Sequence, residues 1–217
     1  MRAVNKNAKK GQIKKFRGSM RPFNNRYIAK SRMFNVSLKG LSIYNVNFKG
    51  SIITQSSFKK TIISDCEFLG TNLSRCNFSN AVIKNSVFLG AKFTKSNFKG
   101  AIFENVIFVT QRLSDCKNLS FSYENNKVIK QIEKIDLSDE LKRQVDLYYN
   151  LSKDRITHIL KLKKSKYNFL HISILLRSFT QEQLCYALNE IIKCKNFDIP
   201  TIFALEKACK THLNMQQ

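Results

Sequence analysis

Large apolar residues recur at every fifth position through the middle of the chain. Stepping by five from Met33 meets only large apolar side chains as far as Leu113. Two places earlier the residue is mostly small, as at Ser51, Thr71 and Ala91, and the other three places are largely polar. This period fits neither the ~3.6 residues of an α-helix nor the ~2 of a β-strand, so the chain must turn a corner once per repeat. The pattern therefore predicts a solenoid.

The motif resembles that of the pentapeptide repeat family, which places Leu or Phe at the centre and a small residue two positions earlier. The resemblance covers about 85 of the 217 residues. It implies a right-handed quadrilateral β-helix in which four pentapeptides make one coil of twenty residues. The predicted fold class is therefore mainly β, a right-handed quadrilateral β-helix followed by an α-helical C-terminal module.

Residues twenty positions apart should then stack on one of four faces, and the sequence satisfies this test. The phenylalanines at the repeat centres are predicted to form the structural core: Phe48, Phe58, Phe68, Phe78, Phe88, Phe98 and Phe108. The inward columns are Met33, Ile53, Leu73, Phe93 and Leu113 on face 1; Leu38, Phe58, Phe78 and Phe98 on face 2; Ile43, Ile63, Ile83 and Phe103 on face 3; and Phe48, Phe68, Phe88 and Phe108 on face 4.

Glycine and other turn-tolerant residues recur at the corners between faces. Gly40 and Gly100 share one corner with Lys60 and Asn80, all residue types that accept turn geometry. The opposite corner repeats glycine at positions 50, 70 and 90. Both columns support the twenty-residue coil.

Three segments are predicted along the chain. Residues 1–30 form a basic, flexible leader, although Phe23 and Ile28 continue the five-residue register and favour a partial first coil. Residues 31–115 form the pentapeptide-repeat β-helix, and residues 116–217 form an α-helical module. Ser138 and Thr180 have the character of helix N-caps, and we expect four or five short helices.

The net charge of +23 favours a polyanionic partner, either nucleic acid or an acidic membrane surface. Residues 1–30 carry ten basic residues and no acid. In the repeats, a candidate anion-binding edge comprises Lys39, Lys59, Lys60 and Lys99, with Lys49 on another edge. An ordinary solvated surface is the favoured interpretation, because no aromatic residue for base stacking is visible at outward positions.

No enzyme active site is predicted, and neither a catalytic residue, a cofactor site nor a metal site is assigned. The sequence lacks a nucleophile elbow, a Walker loop, a dinucleotide fingerprint and a close acid pair. Cys209 and His212 have helical i, i+3 spacing, but paired short-spaced ligands are absent, so we interpret the cysteines as reduced packing residues.

Several functions remain open at this point. The family resemblance implies DNA mimicry of a type II topoisomerase substrate, which the positive charge disfavours because mimicry needs carboxylates in place of phosphates. It also implies scaffolds that bacteria deliver into host cells.

The leading hypothesis is a non-enzymatic protein-interaction scaffold, cytoplasmic or delivered into a host as an effector. The alternative is binding of nucleic acid or an anionic membrane through the basic leader and the solenoid edge; a targeting role for the leader is a third interpretation. No transmembrane segment or secretory signal is predicted.

Overall fold

A computed structural model describes residues 23–109, 113–152, 158–195 and 198–214, together with the backbone of residues 12–14. The chain divides into two compact units, Met1–Lys130 and Gln131–Gln217. The first unit contains a β-solenoid of about five turns, and the second contains the α-helices of the described residues. The predicted fold class is confirmed.

Strands on three of the four sides build the solenoid, and each is three to six residues long. Their bounds are β1 Gln12–Lys14, β2 Phe23–Tyr27, β3 Arg32–Phe34, β4 Ser42–Asn47, β5 Ile52–Thr54, β6 Ile62–Ser64, β7 Val82–Lys84, β8 Val87–Leu89, β9 Ile102–Glu104, β10 Ile107–Val109 and β11 Lys127–Ile129. A 3-10 helix occupies Leu113–Asp115.

All solenoid strand pairs are parallel and join residues twenty apart. Face 1 has the order β1-β3-β5, face 3 has the order β2-β4-β6-β7-β9, and face 4 has the order β8-β10-β11. Face 2 is held by single bridges that run from Ser37 through Ser57, Asn77 and Asn97 to Lys117. The constant register means that each residue lies directly over its counterpart in the neighbouring coil, about 4.8 Å away.

Stacked aromatic rings fill the solenoid axis. The seven phenylalanines of faces 2 and 4 are between 0% and 2% exposed. On face 2 the ring of Phe78 lies 4.6 Å from that of Phe58 and 4.8 Å from that of Phe98, nearly parallel to both. On face 4 the ring centroids of Phe68 and Phe88 are also 4.6 Å apart. One coil spacing thus equals one ring-to-ring distance, which lets aromatic columns pack without gaps.

Small inward residues complete the backbone hydrogen bonding at the corners. The Oγ of Ser96 accepts a hydrogen bond from the buried Cys76 N–H at 3.0 Å and donates one to the Leu73 carbonyl at 2.6 Å. The Oγ of Ser56 accepts from the Val36 N–H in the same way. Because a buried N–H without an acceptor is costly, this position favours Ser, Thr or Cys over larger residues.

The solenoid continues past residue 115, where the sequence pattern placed its end. Strand β11 pairs with β10, and the ring of Phe121 lies 5.2 Å from that of Phe108. Asn126 occupies a small inward position: its Oδ1 accepts from the Val106 N–H and its Nδ2 donates to the Phe103 carbonyl. These residues depart from the repeat motif and close the last coil, which is why the periodicity did not reveal them.

The N-terminal coil begins before residue 31. Strand β2 pairs with β4 in the same twenty-residue register, with Phe23 opposite Ile43, so the expected partial first coil is present. The backbone of β1 pairs with β3. The predicted flexibility of the leader concerns residues 1–11 and 15–22, which lie outside the described residues.

The second unit packs helices around its own core. The helices are α1 Asp139–Leu151, α2 Phe169–Leu175, α3 Gln181–Lys193 and α4 Ile202–Asn214, and the hairpin strands are β12 Lys161–Lys163 and β13 Lys166–Tyr167. Ser138 caps α1 and Thr180 caps α3 through a capping box with Gln183, as the sequence predicted. Leu141, Val145 and Leu188 are fully buried where amphipathic faces meet. The sequence did not predict the hairpin.

Candidate anion-binding surface

Three of every five residues in the solenoid point away from the axis, and on faces 1 and 2 these outward residues are almost all basic or neutral polar. Neither face carries a carboxylate among residues 31–109; the first is Asp115 in the last coil. The acids of the preceding coils lie on face 3, as Asp65 and Glu104, and on face 4, as Glu67. We call faces 1 and 2 the basic surface; its basic residues are Arg32, Lys39, Lys59, Lys60, Arg75, Lys92, Lys95, Lys99 and Lys117.

Four of the five lysines predicted as an anion-binding edge lie together on face 2. The Gly40 N–H donates to the Lys59 carbonyl at 3.0 Å, which places Lys39 and Lys59 in adjacent coils. The Asn80 N–H donates to the Lys99 carbonyl at 2.9 Å, two coils further along. Lys60 follows Lys59 at the corner, with φ +57°. Lys39, Lys59 and Lys99 therefore form a straight row along the rod, and Lys60 lies beside that row.

Lys49, the fifth predicted lysine, lies apart from this row. It belongs to face 4, where the Lys30 N–H donates to its carbonyl at 2.8 Å. Its side chain is half-buried, and the outward positions that follow it in the same column are Leu69, Leu89 and Val109. Face 4 is consequently apolar where face 2 is basic.

Residues of the basic surface form no salt bridge within the described part of the chain. In the solenoid the ion pair Lys84–Glu104, with a distance of 2.8 Å, lies on face 3. All nine basic side chains are exposed except that of Lys59, which is half-buried. Rows of like charge at the coil spacing repel one another, and a bound polyanion relieves that repulsion while releasing its own counterions.

Neutral polar groups fill the space between the charges. Asn77 and Asn97 lie in one column of face 2, and the Asn97 Nδ2 donates to the Ser79 Oγ at 3.0 Å. The hydroxyl and amide groups of this column add hydrogen-bonding capacity for phosphate oxygens. Each of the two faces is flat along the rod, because the coils from residue 31 to residue 109 keep the same register and none contains an inserted loop.

One exposed aromatic residue on the basic surface escaped the sequence reasoning. Phe34 is 58% exposed on face 1, next to the exposed Arg32 on the same strand. The expectation that no outward aromatic residue exists is therefore wrong. The signal was present, since Phe34 directly follows the inward Met33 and strand alternation turns it outward. Phe34 was overlooked because most phenylalanines of the repeats are inward-facing core residues.

The cysteines are placed as packing residues and lack the features of reactive thiols, apart from the exposed Cys194. Burial raises the pKa of Cys76 to about 12, and burial together with the nearby Asp115 carboxylate raises the pKa of Cys116 to about 12. Within the described ranges, no three His, Cys, Asp or Glu side chains are grouped closely enough to hold a metal ion.

Polar contacts in the helical unit join its elements to one another. The Lys161 ammonium is buried, bonds to the Asp146 carboxylate and lies 4.8 Å from the centre of the Tyr167 ring, so the hairpin is tied to α1. The Gln181 Oε1 accepts from the Ser138 N–H at 2.8 Å, which joins the starts of α1 and α3. None of the helices in the described residues has the length and apolar character needed to cross a membrane.

A comparison with protein families finds the same repeat. A family model described as a pentapeptide repeat region matches residues 41–117. No curated protein matches the sequence. Among solved structures, HetL, a pentapeptide repeat protein involved in heterocyst differentiation regulation in the cyanobacterium Nostoc, is 12% identical with a TM-score of 0.34, covering 56% of this chain and 64% of its own.

Two further solved structures are each similar to about half of the chain. Rfr23, a pentapeptide repeat protein from the cyanobacterium Cyanothece, is 10% identical with a TM-score of 0.24, and the match covers 51% of this chain and 91% of that one. QnrB1, a plasmid-mediated fluoroquinolone resistance protein, is 14% identical with a TM-score of 0.23, covering 49% and 72%. This chain thus spans less than two thirds of HetL.

Proposed function

We propose that the solenoid of this chain, which belongs to the pentapeptide repeat proteins through residues 41–117, is a non-enzymatic scaffold. The scaffold binds nucleic acid through the basic surface. The observation that carries the proposal is the separation of charge between faces. Among the described residues before Asp115 the basic surface holds eight cations and no acid, and Lys117 follows Asp115 in the last coil, whereas faces 3 and 4 hold the other solenoid carboxylates. A surface that contacts only solvent does not require its basic and acidic residues to lie on different faces.

The geometry of the row also favours an extended polyanion. Lys39, Lys59 and Lys99 follow the long axis of the rod, and Lys117 extends face 2 by a further coil. The distance from the first to the last of these coils is about 19 Å at the usual strand spacing. A small anion would contact one or two ammonium groups, whereas a phosphate backbone can contact the whole row and release a counterion at each contact.

Mimicry of DNA is disfavoured by the same arrangement, because the solenoid offers ammonium groups where mimicry requires carboxylates. Delivery into a host cell and a cytoplasmic location remain hypotheses.

Binding of a protein partner is a second candidate function. It is supported by an apolar stripe on face 3, where Ile62 is 47% and Ile102 is 53% exposed and Val82 lies between them. Recovery of one specific protein by the full chain, and its loss with Ile62→Ser and Ile102→Ser, would establish that candidate.

The proposal is tested by measuring affinity for a fluorescein-labelled oligonucleotide of about 16 nucleotides, by anisotropy over a series of salt concentrations. The test variant replaces Lys59, Lys60 and Lys99 by Gln. We expect a loss of affinity and a decrease of about 2–3 in the slope of log affinity against log salt, since each phosphate contact contributes about 0.7–0.9.

A matched control removes the same charge from another part of the chain. The variant with Lys163, Lys164 and Lys166 replaced by Gln alters exposed lysines around the β12–β13 hairpin. It should bind almost as tightly as the parent with an unchanged salt slope. Equal losses in the two triple variants would show that net charge alone drives the association. No binding at low salt by the parent chain would refute the proposed function.

A further inference from the structure

Single-stranded nucleic acid, rather than duplex, is the partner that we infer for the basic surface, with an unpaired base stacked on Phe34. This inference rests on the proposed function and specifies its substrate class. It depends on two observations: each of faces 1 and 2 is flat along the rod, and an exposed aromatic ring lies among their cations.

A flat surface cannot enter the grooves of duplex DNA, where proteins recognise the base edges. Proteins read a duplex by placing a helix or a two-stranded ribbon into its major groove, which is about 12 Å wide. Between residues 23 and 109 all coils have twenty residues, and no helix or loop projects from the basic surface. A duplex lying on either face would touch the rod along one narrow line, leaving most of the nine cations of the two faces without a phosphate. A single strand is flexible and can follow the row.

Phe34 has the placement that base stacking requires. Its ring is 58% exposed, and the exposed Arg32 lies two residues earlier on the same side of β3. The neighbour in the next coil is Thr54, whose side chain is too small to cover the ring. Ile52, which is 39% exposed, widens the apolar area diagonally. An aromatic side chain beside cations that hold the backbone is the arrangement used for single strands.

Exposure of a phenylalanine at this position is not required by the fold. In the same column Lys14 precedes Phe34, and Thr54, Ser74 and Thr94 follow it, so no other member of this column is aromatic or apolar. The stacked core needs no ring here, because Phe34 points away from the axis. A large apolar ring on a polar, cationic face is therefore the residue that distinguishes this surface from a merely solvated one.

The test compares the oligonucleotide described above with the same oligonucleotide annealed to its complement. We expect the parent chain to bind the single strand more tightly. Phe34→Ala should lower the single-strand affinity by about 5- to 150-fold, which is the range for loss of one base stack, and leave the duplex affinity unchanged. Phe34→Trp should retain or improve the single-strand affinity, because the larger ring preserves stacking.

Each outcome separates the inference from the proposed function. If both probes bind with a salt dependence but the duplex binds more tightly, or if Phe34→Ala has no effect on the single strand, the inference is wrong and the proposed function stands. If neither probe binds, both fail. Binding of the chain to phosphatidylserine vesicles that is lost in Phe34→Ala, without a change toward the single strand, would identify a lipid surface and overturn the inference.

Discussion

Truncation of one ring in the middle of an aromatic column tests the packing on which the whole solenoid depends. Phe78 is 0% exposed, and its ring centroid lies 4.6 Å from that of Phe58 and 4.8 Å from that of Phe98. The ring of Phe93 contacts it in a T-shaped arrangement with a centroid distance of 6.4 Å. Phe78→Ala should lower the free energy of unfolding by about 3–5 kcal/mol, because it removes a buried ring and leaves a cavity that rigid coils cannot close.

Phe78→Leu separates the stacking contribution from burial. Leucine keeps most of the apolar volume, as Leu73 does at the centre of face 1. It loses two stacked ring pairs, each contributing about 0.5–1.5 kcal/mol beyond burial, so a decrease of about 1–3 kcal/mol is expected. Phe34→Ala is the control, since it makes the same truncation at a ring that is 58% exposed. Its cost should stay below about 1 kcal/mol.

Hydrogen exchange at increasing urea concentration, followed by mass spectrometry on peptides within residues 48–108, measures the solenoid separately from the helical unit. This choice matters because the chain has two compact units, and a single spectroscopic transition would combine them. A cost for Phe78→Ala no larger than that for Phe34→Ala would refute the reasoning, because the axial position would then contribute nothing beyond what a surface ring contributes.

Three other predictions concern the corners, the small inward positions and the thiols. Gly40→Ala should destabilise by about 1–2 kcal/mol through its left-handed φ of +71° alone. Gly100→Ala should cost about 1 kcal/mol more, because its Cβ would collide with the Oδ1 of Asn80, which must rotate away; equal costs on urea denaturation would contradict this. Ser96→Ala removes the acceptor of a buried N–H and should cost about 1–3 kcal/mol, whereas the exposed Ser42→Ala should be neutral; a neutral Ser96→Ala would be the opposing result. In native protein, Cys194 should react first with a thiol reagent, because it is the exposed cysteine and burial raises the pKa of each of the other five thiols. Peptide mapping that finds a solenoid thiol labelled at the same rate would contradict the placement.

The sequence by itself determined the fold of the repeats, since one rule applies to each coil. Every inward position faces the same axis, so a period of five with a large centre and a small neighbour has a single packing solution. The capped helix starts at Ser138 and Thr180 could likewise be predicted, because capping depends on a few adjacent residues. What ended the solenoid could not be predicted, because Phe121 and Asn126 close it with contacts to Phe108 and Val106 that no local pattern encodes.

Only the tertiary structure decided how the surface is divided. The twenty-residue register aligns Lys39, Lys59 and Lys99 and places Lys49 on another edge, but how far the neighbouring coils leave the Phe34 ring exposed required the tertiary structure. Charge on a surface depends on which residues are neighbours in space, and winding the chain makes neighbours of residues twenty apart while it separates residues ten apart. The inward positions obey a packing constraint that is written in each repeat, whereas the outward positions obey none, so their grouping emerges only when the coils are stacked.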